Sequence, residues 1–156
     1  MEKHPTSNYT VRFNDCDPLG HLNNSRYLDY FINAREDHLK VAYGIDLTRY
    51  YQKGQAWVVG HHEILYKKPA VYNEEILIRT SLIDLSDYHL TIEAVMYDKD
   101  ESHVKAIQWT SLISINSQKG RKEPHDPEFM DFARSVHDSS VDLAQGVRAR
   151  VAQLKS

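Results

Sequence analysis

Four strand-like stretches in direct succession, at about 55–67, 74–86, 88–99 and 102–116, constrain this chain more than any other feature. Within them Ile76, Ile78, Thr80 and Leu82 alternate with exposed partners, as do Leu90, Ile92, Ala94 and Met96. That period of two marks a strand with one face packed. The links carry turn residues: Pro69 with Asn73, then Ser86-Asp87, then Asp98-Lys99-Asp100-Glu101. Parallel neighbours need a long crossover, so links this short predict antiparallel hairpins.

A different period precedes the strands. From Asn24 to about Tyr43, Leu28, Phe31, Ile32, Leu39 and Ala42 recur at a spacing near 3.6, joined by the stem of Arg35. Asn23 or Asn24 supplies an N-cap and Gly44 a stop, which predicts a helix of about 20 residues. Upstream, residues 8–14 read as one more strand, broken by Pro18 and Gly20. A short helical or irregular segment occupies roughly 46–53, before Gly54.

After Gly120 the pattern turns helical again. Asp126 caps and Pro127 opens a helix over 126–137, with Phe129, Phe132, Ala133 and Val136 on one face. A second helix is expected over 139–154. The whole order predicts an α+β fold: a five-stranded, mostly antiparallel sheet wrapped around one long helix, with a C-terminal helical extension. Phe31, Ile32 and Leu39 are expected against the concave face of the sheet. The chain reads as one domain over 1–156, with a core at about 8–117 and a helical tail at about 126–154. At 156 residues it is long enough to bury roughly two-thirds of its unfolded surface. A sheet of this size leaves edges open, and pairing two subunits would cover one of them.

A net charge of −3, with no run of Lys or Arg, argues against a nucleic-acid partner. Cys16, the one cysteine, leaves no internal disulfide. Met1-Glu2-Lys3-His4-Pro5 lacks the apolar core of a signal peptide, and no stretch approaches the roughly 20 apolar residues of a membrane helix. The expectation is a cytoplasmic protein without a membrane partner.

The chemistry lies between the first strand and the long helix, in Asp15-Cys16-Asp17-Pro18-Leu19-Gly20-His21-Leu22-Asn23-Asn24. This stretch sets carboxylates, an imidazole and capping amides at a helix start. A helix N-terminus offers unpaired N–H donors and about half a positive charge, suited to a developing oxyanion.

Together with Arg12-Phe13-Asn14, Tyr27-Leu28, Ala34-Arg35 and Tyr66-Lys67-Lys68-Pro69-Ala70, the stretch resembles the hotdog-fold acyl-CoA thioesterases. The nearest group is the one typified by 4-hydroxybenzoyl-CoA thioesterase. The resemblance implies an acyl-CoA thioesterase that releases a carboxylic acid and coenzyme A. It implies Asp17 as the catalytic carboxylate, acting as nucleophile or general base, and an oxyanion N–H near Asn24. No metal or organic cofactor is implied, coenzyme A entering only as part of the substrate. A homodimer or homotetramer is implied as well. His21 and Asn23 also match plant acyl-carrier-protein thioesterases, which use an Asp, an Asn and a His. Leu19 stands at that Asn position, so His21 is assigned an orienting or acid–base role.

The remaining candidates follow from the residues. Asn23, Asn24, Tyr27 and His61 are expected around the oxyanion and substrate. Alternation places His61 and His62 on opposite faces, which excludes a shared metal ion, and puts Val59, His61 and Glu63 together. Lys67, Lys68 and Arg79 are candidates for the coenzyme A phosphates. Asp15 is expected to be structural, paired with Arg12 or turn amides. The carboxylates beside Cys16 would raise its pKa and suppress the thiolate. Two other functions fit the same scaffold: a hotdog hydratase or dehydratase, and a non-catalytic acyl-CoA-binding protein.

Overall fold

The computed structural model describes residues 1–154. The strands are β1 (Thr6–Thr10), β2 (Gln55–Tyr66), β3 (Glu75–Leu85), β4 (His89–Asp98), β5 (Val104–Asn116) and a two-residue β6 (Arg121–Lys122). The helices are α1 (Tyr27–Val41), α2 (Leu47–Gln52), α3 (Pro127–Val136) and α4 (Gly146–Gln153). Strand order is β1-β3-β4-β5-β2, with every pair antiparallel, and β6 adds to β5. The antiparallel reading therefore holds, and β3-β4 and β4-β5 are hairpins. But β2 pairs with β5 instead of β3, so the 67–74 link crosses over rather than closing a hairpin. β6 is the strand that sequence reasoning missed.

Boundaries moved where local turns won over pattern. The first strand ends at Thr10, because Val11 turns to exchange hydrogen bonds with Asn73 and Glu74. The long helix starts with a 3₁₀ turn, Asn24–Arg26, capped by the Asn23 side chain, before α1 proper. Of the helix expected over 139–154 only Gly146–Gln153 is α-helical; Leu143–Gln145 is a 3₁₀ turn.

The sheet sits between two helical layers. On its concave face Phe31, Tyr27, Tyr30 and Ala34 of α1 pack against Ile76, Ile78, Ala94 and Met96. Ile32 does not join them: it is 51% exposed, because Phe31 and Ala34 take the inward stripe. The convex face was expected to be exposed, yet Ile83, Val95, Tyr97, Ile107 and Trp109 are buried there by Val141, Val147 and Val151. The tail thus covers the outer face. Its anchor is Glu93, 1% exposed, which accepts from both Nε and Nη2 of Arg150 at 2.8 and 2.9 Å and from the Trp109 indole at 3.0 Å. Between α3 and α4 the chain is pinned by Asp138, whose amide donates to Leu82 O and whose carboxylate meets His4 Nε2 at 3.2 Å. No helix among the described residues is long and apolar enough to cross a membrane.

Candidate active site

The loop from Cys16 to Leu22 closes as a miniature hairpin, with a bridge between those two residues. Asp17 sits inside it. Its amide donates to His21 O at 2.8 Å, and its carbonyl accepts from Gly20 N at 3.0 Å. Its Oδ1 accepts from Leu19 N at 2.9 Å and His21 N at 3.0 Å. Gly20 completes the turn with a φ of 78°, a left-handed value that glycine adopts at little cost. Both protons on Oδ1 come from the backbone, so the loop itself aims the carboxylate.

The loop is braced from outside. Leu22 N donates to Ala70 O, Tyr72 N donates to Gly20 O, and His21 bridges to Val71. That 67–74 link is held in turn by Lys105, whose Nζ reaches Pro69 O at 3.0 Å and Glu74 Oε2 at 2.8 Å. Tyr27 is buried, accepts from Ala70 N through its hydroxyl and meets Tyr66 edge-on, so it is packing that shapes the helix start. Asn23 Oδ1 takes the amide and hydroxyl of Ser25, a cap in full use. Asn24 lies in the first turn, and its carbonyl accepts from Tyr66 Oη at 3.1 Å. Lys67 and Lys68 follow Tyr66 directly and are exposed, which sets two cations beside the helix start.

Asp15 is structural through a partner other than Arg12's side chain. Its Oδ2 accepts from Tyr30 Oη at 2.7 Å, while Arg12 donates its amide to that same phenol. Burial, then the Asp15 and Asp17 carboxylates, pushes the Cys16 thiol up, away from thiolate.

Two candidates lie elsewhere. Arg79 projects to the convex face, where Nη2 donates to Tyr97 Oη at 2.7 Å, so it does not join Lys67 and Lys68. A β-bulge between Val59 and His61 breaks the alternation, putting Gly60 out of register. Val59 and His62 therefore share the concave side, and His61 turns outward beside Glu63, 3.9 Å away. His62 Nδ1 meets Thr110 Oγ1 at 3.0 Å, and burial lowers its pKa. The glycine inside a strand was the available signal for that bulge.

Residues 11–133 match the model of the thioesterase-like superfamily. The chain belongs to that superfamily. Its members' chemistry makes it an enzyme of the thioester-hydrolase class. A probable thioesterase of Escherichia coli, YbaW, is 24% identical and superposes with a TM-score of 0.73 over 84% of this chain and 98% of its own. A 1,4-dihydroxy-2-naphthoyl-CoA thioesterase of Synechocystis reaches a TM-score of 0.77 at 17% identity, covering 85% of this chain and 97% of its own. The Staphylococcus aureus protein SAV2348, whose structure holds CoA, gives 0.77 at 13% identity over 91% of each chain. The expected α+β hotdog fold is thereby borne out.

Proposed function

We propose that this superfamily member hydrolyses acyl-CoA thioesters in the cytoplasm, with Asp17 as the catalytic carboxylate. One observation carries the reading: Leu19 N and His21 N both bind Oδ1 of Asp17, which leaves Oδ2 for the reaction. A carboxylate positioned by backbone rather than by a mobile side chain is preorganised.

The thioester carbonyl oxygen lies at the first N–H groups of the helix start, near Asn24, where one donor contributes about 3–4 kcal/mol to acyl transfer. Asp17 removes a proton from water, the hydroxyl adds to the carbonyl carbon, and collapse expels the coenzyme A thiolate. That thiolate takes up the proton held by Asp17. In the nucleophilic version Oδ2 adds to the carbonyl carbon first, and the adduct expels the coenzyme A thiolate to leave a mixed anhydride. Water then opens the anhydride and supplies the thiolate's proton. His21, in the same turn, orients the water or the leaving thiolate. Lys67 and Lys68 meet the anionic nucleotide of coenzyme A. No cofactor enters either route.

A second copy of the chain completes the cleft. β2 lies at the end of the sheet, with Val58 and Val59 exposed, so strand-to-strand pairing there would cover an open edge.

The test is thiol release from acetyl-, medium-chain, long-chain and aromatic acyl-CoAs, with wild type and Asp17→Asn in parallel. Turnover that vanishes in the variant supports the reading. A folded wild type that releases thiol from none of them overturns it.

A further inference from the structure

A cleft of about 430 Å³ runs between the C-terminal half of α1 and the concave faces of β2, β4 and β5. Its walls include Phe31 and Ile32 of α1, Trp57 of β2, Leu112 of β5, and Phe129 and Phe132 of α3. Its size falls in the range of ligand pockets. Of its polar wall groups, Glu36 faces Lys40 at 3.3 Å. Gln108 Nε2 donates to Thr110 Oγ1 at 2.9 Å. Arg35 donates Nη1 to Thr80 Oγ1 at 2.9 Å and holds its guanidinium 5.7 Å from the centre of the Tyr43 ring, so its alkyl stem faces the cleft. Alkyl and aromatic surface is what remains.

Ile32 supplies a second argument. It is apolar, half-exposed and part of the cleft wall, and removing such surface from water is favourable. An apolar occupant would do so. Position supplies a third. Phe31 follows Asn24 by seven residues, about 10 Å along a helix axis. A chain that leaves a carbonyl at the helix start therefore enters the cleft only after several carbons.

Resting on the acyl-CoA reading above, we propose that this cleft takes a medium- or long-chain aliphatic acyl group, and that Phe132 sets its length. Phe129 is 7% exposed and locked among Trp57, Tyr50, His125 and Phe132. Phe132 is half-buried and edge-on to Tyr43, just past the C-terminus of α1, so it stands at the end of the cleft away from the helix start. The tail helix α3 thus acts as a stop for the substrate. One methylene in an apolar pocket discriminates by about tenfold or more, so such a stop is enough to set a preference.

The experiment measures kcat/KM from acetyl- to palmitoyl-CoA for wild type, Phe132→Ala and Phe132→Trp. Phe132→Ala should move the optimum to longer chains and Phe132→Trp to shorter ones, with acetyl-CoA unchanged in both. Superimposed profiles, or acetyl-CoA losing as much as the long chains, overturn the proposal. Binding of free dodecanoate, read through Trp57 fluorescence, separates this idea from the catalytic one. If wild type turns over no acyl-CoA, the catalytic reading fails by itself. Saturable dodecanoate binding that Phe132→Trp weakens about tenfold still supports the cleft, and binding that is absent or unchanged overturns it.

Discussion

Asp17 and His21 hold each other through the backbone: Asp17 N donates to His21 O at 2.8 Å, and His21 N returns a bond to Asp17 Oδ1 at 3.0 Å. The imidazole takes no part in either bond. The carboxylate is therefore aimed by chain path, and the side chain at 21 is separable from it.

Asp17→Asn keeps an oxygen that accepts from Leu19 N and His21 N, so the loop should stay closed. What disappears is the basic or nucleophilic oxygen. The expected loss in kcat is about 100-fold or more, with an unchanged melting temperature. Thiol-release kinetics beside thermal denaturation check this. A variant that retains wild-type turnover would remove Asp17 from the chemistry. Label in Asp17 after a single turnover in ¹⁸O-water would establish the nucleophilic route, with water opening the anhydride at the Asp17 carboxyl carbon.

Cys16→Ala should cost little activity. Its Sγ lies 3.4 Å from Arg12 O, and burial with two flanking carboxylates holds it as a neutral thiol. A loss as deep as that of Asp17→Asn would reverse the assignment of roles.

The fold was legible because local signals agreed with one another. Alternation gave β3 and β4 with the right faces inward, and the same alternation explains why Arg79, between Ile78 and Thr80, points away from the site. Asp17 was legible only through its motif; no periodicity distinguishes it from a turn residue. His62 was hidden by the bulge, since one inserted residue inverts every face beyond it. The convex face was misread because the residues covering it, Val141, Val147 and Val151, lie far along the chain. Glu93 and Arg150 are 57 positions apart, and nothing local marks either for burial.

Stability should fall in acid through His38. Arg35 donates to Thr80 Oγ1, so the Thr80 hydroxyl gives its proton to His38 Nδ1 at 2.7 Å. His38 Nε2–H then donates to Ser7 Oγ at 2.8 Å, Ser7 to Tyr9, and Tyr9 to Asp37 at 2.7 Å. The chain requires a neutral imidazole, and burial, reinforced by the Arg35 charge, lowers the pKa from 6.5 to about 4. Between those values the unfolded chain binds a proton that the folded one refuses. The stabilisation is complete above pH 6.5 and is lost as pH falls to about 4, by up to about 3 kcal/mol. Melting temperatures across that window should slope less in His38→Gln than in wild type. Parallel slopes would mean that His38 is not the responsible group.

Arg150→Ala should destabilise the tail without touching the site. It strips two hydrogen bonds from a carboxylate that is 1% exposed, leaving the Trp109 indole as its remaining donor. Removing one partner of a buried pair costs about 3–5 kcal/mol, because the other charge stays behind. Replacing both charges removes that penalty, so Glu93→Leu with Arg150→Leu should recover most of the loss. Denaturant unfolding of Arg150→Leu, Glu93→Leu and the double variant measures the coupling. Glu93 lies on the convex face and Asp17 in a loop beside α1, so kcat at low temperature should be unchanged in all three. Additive losses would show that the pair is not coupled. A matching fall in kcat would mean that the outer layer sets the geometry of the loop.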